Sequence, residues 1–339
     1  MLLDPVEARA LFRCALDHSF AVLAVNADSP AAITDCLEAA RECGAPIIIE
    51  TSLWQLTGQS FGAGDAALGM ARYLAQLQVL AECERYRHVP VIFHTDHIKG
   101  PGTMPLLSAA IRGLPFGKSN LRLHPGTISL DSSEMSEAEN IAAICALCAV
   151  AEDCGQPVTL EMEAGVDHGI SPIADAERLL GPVEQRHPGC VHLWAPGVGT
   201  QHGLSDESSG FSPQAVARHH QRASEVCGRP IGLALHGSSG LPPSALRDAV
   251  SAGVVKVNWS SESLLIRSQA ACAFYATHTT ELETSHPQWK AAAMDHGVQA
   301  FVSARYLPRV TERIRILGGE GQASRVRGSL GILTHGEKH

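Results

Sequence analysis

Carboxylate, imidazole and amide side chains in this 339-residue chain gather directly behind short apolar runs. Phe20–Val25 is followed by Asn26, and Val89–Phe93 by His94, Thr95, Asp96 and His97. Thr127–Leu130 leads into Asp131, and Val158–Met162 holds Glu161 and runs into Glu163. Val191–Ala195 precedes Gly199-Thr200-Gln201-His202-Gly203. Ile231–Leu235 leads into His236-Gly237-Ser238-Ser239-Gly240, and Val254–Val257 carries Lys256 and ends at Asn258. Three histidines so placed, His97, His202 and His236, suit a catalytic zinc, which takes three protein ligands and keeps one position for water or substrate. His94 shares a run with His97. Strand alternation points the two differently, so His94 reads as a supporting residue, with ligation by both as the alternative. Asp96 can either orient a metal-bound imidazole or act as a general base on a substrate hydroxyl beside a polarised carbonyl. Asp131 and Glu163 can serve a second divalent or monovalent cation, or simply be solvated loop carboxylates. The Gly237–Gly240 turn can offer backbone N–H groups to an anion, with hydroxyls from Ser239, Ser260 and Ser261 as further donors. Asn26, ending the first run, and Ser52, shortly after the second, complete the candidate substrate contacts.

Such residues need elements to hold them. With Pro46–Ile49, the apolar runs number eight. They alternate with longer amphipathic segments: Ser29–Cys43, Ala66–Tyr86, Met104–Ile111, Ser136–Cys154, Ala174 toward Glu184, Pro213–Val226, Pro243–Ala252 and Ser261–Ala276. Ser136 and Glu139 form a capping-box pattern at the start of one of these helices. Unbroken apolar runs mark strands buried on both faces, and the alternation predicts a parallel sheet closed into a (β/α)8 TIM barrel. Such barrels carry their chemistry at the C-terminal strand ends, where the residues above lie. An open doubly wound sheet is the alternative, but no G-x-G-x-x-G follows the first run. The expected organisation is one α/β domain over 1–339, with the barrel over about 18–278 and extra C-terminal helices over about 287–325, including a helical tail from Pro287 to Leu317.

Composition narrows the function. The chain is 45% hydrophobic with a net charge of −9, and its Lys and Arg are dispersed, so no basic stripe for nucleic acid is present. No apolar run reaches the roughly 20 residues needed to span a bilayer. The N-terminus, with Asp4 and Glu7, lacks the basic start of a signal peptide, and a cytoplasmic enzyme is expected. Of the ten cysteines, Cys145 and Cys148 have C-x-x-C spacing, but without a second pair they read as buried helix thiols.

Together these stretches resemble the class II, zinc-dependent fructose-bisphosphate and tagatose-bisphosphate aldolases, from about Phe20 to Arg267. The matching motifs are AVN (Ala24–Asn26), VIFHTDH (Val91–His97), LDSSEMSEAENI (Leu130–Ile141), LEMEAG (Leu160–Gly165), GTQHG (Gly199–Gly203), LHGSSG (Leu235–Gly240) and GVVKVN (Gly253–Asn258). The resemblance implies one Zn2+ per chain on His97, His202 and His236, with Asp96 as the acid/base at the hydroxyl of the bond being cleaved. It implies Asp131 and Glu163 at an alternative or second metal position, and Asn258 at the ketone. Gly203, Gly237, Ser239 and Ser261 would hold the ketone-side phosphate. The implied reaction is reversible aldol cleavage of a ketose through a metal-stabilised enediolate, on a sugar or sugar phosphate, in a homodimer or larger homo-oligomer. Three stretches depart from the family. The mobile acidic loop is replaced by Val166–Ser171, with Asp167 and His168 as candidate substitutes. Leu204-Ser205-Asp206-Glu207 follows GTQHG, placing two acids where a phosphate would be repelled. Ser260-Ser261-Glu262 stands for Asp-Thr-Asp. These changes predict a divergent member for which fructose 1,6-bisphosphate is not the favoured substrate. Competing readings are a Schiff-base aldolase using Lys256, a barrel metallohydrolase, and a catalytically silent aldolase-like partner subunit.

Overall fold

The computed structural model describes residues 1–100, 102–118, 120–132, 135–166, 169–204 and 210–331. Eight strands carry the apolar runs: β1 (Val22–Asn26), β2 (Ile47–Thr51), β3 (Val91–Ile98), β4 (Thr127–Leu130), β5 (Leu160–Ala164), β6 (Val191–Pro196), β7 (Gly232–Leu235) and β8 (Val254–Trp259). Each pairs in parallel with its neighbours in sequence. β8 returns to β1 with Val22 opposite Lys256, which closes a (β/α)8 TIM barrel. Nearly every strand residue is buried, because helices cover the outer face while side chains fill the inside.

The helices follow the amphipathic segments: α2 (Pro30–Cys43), α4 (Ala66–Glu82), α5 (Thr103–Arg112), α6 (Glu137–Cys154), α8 (Pro213–Cys227), α9 (Pro243–Ser251) and α10 (Ser261–Thr277). The Ser136–Glu139 capping box forms at the start of α6. Cys148 is buried on that helix and Cys145 half-buried, both as free thiols. The segment from Ala174 is split into a π-helical turn (Ala176–Leu180) and a short α-helix (Gly181–Arg186). Three elements carry no sequence expectation: α1 (Pro5–Asp17), α3 (Leu53–Thr57), and a two-residue ladder between Leu114–Pro115 and Arg122–Leu123; the last helix, Gln322–Ser329, runs four residues past the expected C-terminal extension. α1 starts at an Asp4–Glu7 capping box. It packs Leu11 and Phe12 into one buried cluster with Phe20, Val22, Ile48, Ile92, Leu193 and Val255, which plugs the lower barrel.

The tail breaks at Met294 into Trp289–Ala293 and α12 (Asp295–Ile316). α12 packs along α2 and α10. The Tyr306 hydroxyl lies 2.5 Å from Ser263 Oγ, and Arg267 bonds Asp35 Oδ2 at 2.5 Å beneath the Tyr306 ring. Among the described residues no helix is long and apolar enough to cross a membrane.

Strict alternation would place consecutive residues on opposite faces of the barrel wall, and register shifts override it, two of them beneath the functional residues. On β3 the register gains a residue between Thr95 and Ile98, and His97 takes a left-handed backbone with φ 49°. Asp96 and His97 thereby both reach the barrel mouth. On β8 a shift between Val254 and Lys256 sets Val255 in the apolar plug and Lys256 in the polar layer above it.

Where α4 leaves α3, a Cβ on Gly69 would lie 1.9 Å from the Leu56 carbonyl oxygen. Backbone cannot yield as a flexible side chain does. Gly69→Ala is therefore expected to cost about 3 kcal/mol, the upper range for overpacking, and to lower the thermal midpoint by several degrees. An unchanged midpoint in a melting curve would show that this close approach relaxes freely.

Candidate metal centre

β3, β7 and the loop after β6 bring His97, His236 and His202 together at the C-terminal mouth. His97 Nε2 lies 3.0 Å from His202 Nε2 and 2.9 Å from His236 Nδ1. Zinc bound tetrahedrally at about 2.0–2.1 Å separates its nitrogen ligands by roughly 3.3 Å, so a few tenths of an ångström of opening would admit the ion. The far sides of two rings set their tautomers. His236 Nε2 lies 2.7 Å from Glu161 Oε1, and His97 Nδ1 lies 3.4 Å from Glu163 Oε2 and 3.7 Å from Asp131 Oδ2. Carboxylates on those nitrogens favour hydrogen there and leave lone pairs facing the cluster, which is the arrangement a metal requires. Burial disfavours charge on His97, but Asp96, Glu163 and Asp131 outweigh it and raise its pKa well above normal. The mouth is thus a place that favours positive charge. Burial, followed by the charges of His97 and Lys256, pushes His236 well below the usual range, toward a neutral ligand form. The donor set fits a zinc ion. His97, Asp131 and Glu163 form a second group with ligand atoms within 4.8 Å of one another.

Beside the histidines, Asp96 is only 4% exposed and is gripped at both oxygens. Asn26 Nδ2 donates to Oδ2 at 3.1 Å and Asn258 Nδ2 to Oδ1 at 2.9 Å. Burial alone would raise its pKa, but His97, Lys256 and His236 and the Asn26 hydrogen bond bring it down to about 2. Asp96 is therefore a carboxylate at neutral pH. His94 points into the layer below, with Nδ1 2.8 Å from Thr127 Oγ1, and burial, then Lys256, keeps it neutral. The bulge cancels the alternation expected to point His94 and His97 differently: both face the barrel interior, with His94 lower, beside Glu161.

A cavity of about 140 Å³ opens over Asp96, His97 and His202. Its walls include Asn26, Ser52, Gly203, Gly237, Ser239, Asn258, Ser260 and Ser261, so every candidate substrate contact borders it, together with Ser238. His236, Glu163 and Asp131 stand behind the wall. Ser52 Oγ is shared with Gln55 at the start of α3, and Ser239 Oγ accepts the Glu262 N–H at 3.2 Å. Glu262 itself turns away from the cavity to Trp259 Nε1 at 2.9 Å and to Arg309 and Arg313 of α12. Among the described residues no Lys or Arg borders the cavity. Asp167, His168, Ser205, Asp206 and Glu207 lie outside the described residues.

Sequence reasoning missed the buried charges beneath this floor. Lys256, fully buried, lies 3.0 Å from Glu161 Oε2 and 3.3 Å from Glu50 Oε2. Burial lowers its pKa, but Glu161, Glu50 and Asp96 outweigh it and hold it as an ammonium. A Schiff base needs the free amine, so this corrects the Lys256 reading. The available signal was a charged residue inside each of the apolar runs IIIET, LEMEA and VVKVN.

The family model of class-II fructose-bisphosphate aldolase matches residues 6–322. Fructose-bisphosphate aldolase of Candida albicans is 27% identical over 279 residues, covering 76% of this chain and 77% of its own length. That of Streptococcus pyogenes is 24% identical over 338 residues, covering 94% and 99%. The crystal structure of fructose-bisphosphate aldolase from Campylobacter jejuni superposes with a TM-score of 0.79 at 20% identity, covering 94% of this chain and 96% of that one.

Gly237 has φ 63°, and a Cβ there would lie 2.6 Å from the Gln201 carbonyl oxygen and 2.9 Å from the Gln201 nitrogen. Gly237→Ala is expected to push the neighbouring His202 outward and weaken zinc affinity about 10-fold or more. Chelator competition checks this; unchanged affinity would show that the loop carrying His202 shifts without moving its imidazole.

Proposed function

The chain belongs to the class-II fructose-bisphosphate aldolase family, and from that premise we propose reversible aldol cleavage of a ketose phosphate at a zinc held by His97, His202 and His236. The carrying observation is the convergence of three imidazoles, with His97 Nε2 about 3 Å from a nitrogen of each of the other two, beside an ionised, doubly hydrogen-bonded Asp96. When bound, the zinc supplies a Lewis acid that polarises the substrate carbonyl and eases loss of electrons from the breaking carbon–carbon bond. Asp96 takes the proton of the substrate hydroxyl at one carboxylate oxygen in the cleavage direction, the carbon left with the electron pair of the broken bond takes up a proton from water, and both transfers reverse in condensation. Asn258 and Asn26 hold that carboxylate on the cavity floor, and Asn258 borders the space for the ketone. The Gly237–Gly240 turn, Gly203 and the hydroxyls of Ser239, Ser260, Ser261 and Ser52 offer neutral donors to a ketone-side phosphate. Asp131 and Glu163 form the second cation position beside His97.

The favoured substrate is a ketose phosphate other than fructose 1,6-bisphosphate. Support comes from the absence of Lys and Arg along the cavity among the described residues. The acids Asp206 and Glu207 after GTQHG point the same way, since a second phosphate would meet repulsion there. A homodimer or larger homo-oligomer in the cytoplasm belongs to the same reading, in keeping with the free thiols.

Elemental analysis of wild type beside His202→Ala tests the centre. The expected result is about one zinc per wild-type chain, lost in the variant, with retro-aldol cleavage of a ketose phosphate abolished by chelator and restored by zinc. A wild type that takes up neither zinc nor cobalt would remove the metal reading and favour the silent partner subunit.

A further inference from the structure

Lys256 lies below the cavity and touches no space where substrate can reach, since it is completely buried. The Lys256 ammonium donates a hydrogen bond to Asn258 Oδ1, and two carboxylates lie within ion-pair distance of its charge. Asn258 Oδ1 is 2.6 Å away, Glu161 Oε2 3.0 Å and Glu50 Oε2 3.3 Å. Two of these lead upward into the reaction centre. Asn258 is an amide whose two ends differ in chemistry. Because Lys256 takes its oxygen, the NH2 end must face Asp96, to which it donates at 2.9 Å. Without the ammonium the amide is free to turn its oxygen toward the carboxylate, a repulsive contact. Glu161 offers its second oxygen to His236 Nε2 at 2.7 Å, and the anchored carboxylate plane aims the imidazole so that Nδ1 meets His97 Nε2 at 2.9 Å.

We infer that Lys256 is a positioning residue that sets both halves of the centre at once, the proton-accepting carboxylate through Asn258 and the metal-ligand imidazole through Glu161. This rests on the zinc aldolase reading above. Glu50 is the third contact and serves differently. Burial, then the charge of Asp96, pushes its pKa far up, and neither of its oxygens has a hydrogen-bond partner among the described residues. It fills the floor beside Lys256 and passes no hydrogen bond on to the centre. The β8 bulge is what makes the arrangement possible, because it turns Lys256 inward directly after the apolar Val255.

The test is Lys256→Met, which keeps the length of the side chain and removes the three donors. Zinc affinity is read by chelator competition, independent of substrate, and kcat and KM are measured with zinc saturating. The expected result is a zinc Kd weakened about 10–100-fold together with a kcat reduced about 100-fold at nearly constant KM. A folded variant with wild-type zinc affinity and wild-type kcat overturns the proposal. A structural role alone would lower the melting temperature or the folded fraction while leaving both values per folded molecule unchanged, and that outcome overturns it too. Should Lys256→Met fail to fold, Lys256→Met with Glu50→Gln, which also replaces the neighbouring buried acid by a neutral amide, is read the same way. Failure of both to fold assigns Lys256 to the frame and overturns the proposal. A wild type that binds no zinc overturns the underlying reading instead, and is told apart because every outcome above is read against a wild type that does bind zinc.

Discussion

Carboxylates cannot be carried into a barrel interior without partners, and that constraint orders the upper half of this molecule. Glu50, Glu161, Glu163 and Asp96 are all essentially inaccessible to water. Isolated, each would cost several kcal/mol to bury as an anion. Instead, the Lys256 ammonium sits between Glu50 and Glu161, Ser129 donates to Glu163, and two amides hold Asp96. Two of the three imidazoles, His97 and His236, stand on this layer rather than on the strands alone, because the nitrogens they turn away from the cluster meet Glu163 and Glu161. Below it lies the dry plug built from α1 and the lower strand residues. The barrel thus separates a region that gives rigidity from one that gives charge, along the same eight strands.

Much of this was legible in the residues. The eight apolar runs mapped onto eight strands with boundaries shifted by at most two residues, except at the end of β3, where Val89–Phe93 became Val91–Ile98 and the polar residues to Ile98 joined the strand. Strand ends project functional groups regardless of small boundary errors, so the named candidates among the described residues came to one mouth. What pattern could not deliver was the aim of individual side chains. His97 follows Asp96 directly, and alternation separates neighbours; only the bulge and the left-handed backbone at His97 unite them, and neither has a local sequence mark. α1 escaped notice because its apolar positions point at the open lower end of a barrel, a surface that exists only after the ring has closed. The buried charges were visible as letters, but a single Lys in an apolar run says nothing about which acids it will meet.

The C-terminal helices extend the frame of the cavity. Arg309 and Arg313 of α12 hold Glu262, whose backbone N–H engages Ser239 on the opposite side of the pocket, and Tyr306 bonds Ser263 one residue further along. The serine-lined wall is therefore tied to a helix that touches no substrate space. Glu262 is thereby committed to an anchoring ion pair and not to the cavity. The polar lining of the cavity is left to hydroxyls and backbone N–H groups.

Closure of the ring through Val22 and Lys256 has a consequence for how the chain is made. Synthesis proceeds from the N-terminus, so Glu50 and Glu161 leave the ribosome well before the lysine that lies between them. Until the last strand emerges, a partly assembled sheet carries interior acids without their cation and exposes two unpaired edges. The growing chain is thereby discouraged from settling into a closed interior too early, and the seam that completes the wall is also the event that neutralises its floor.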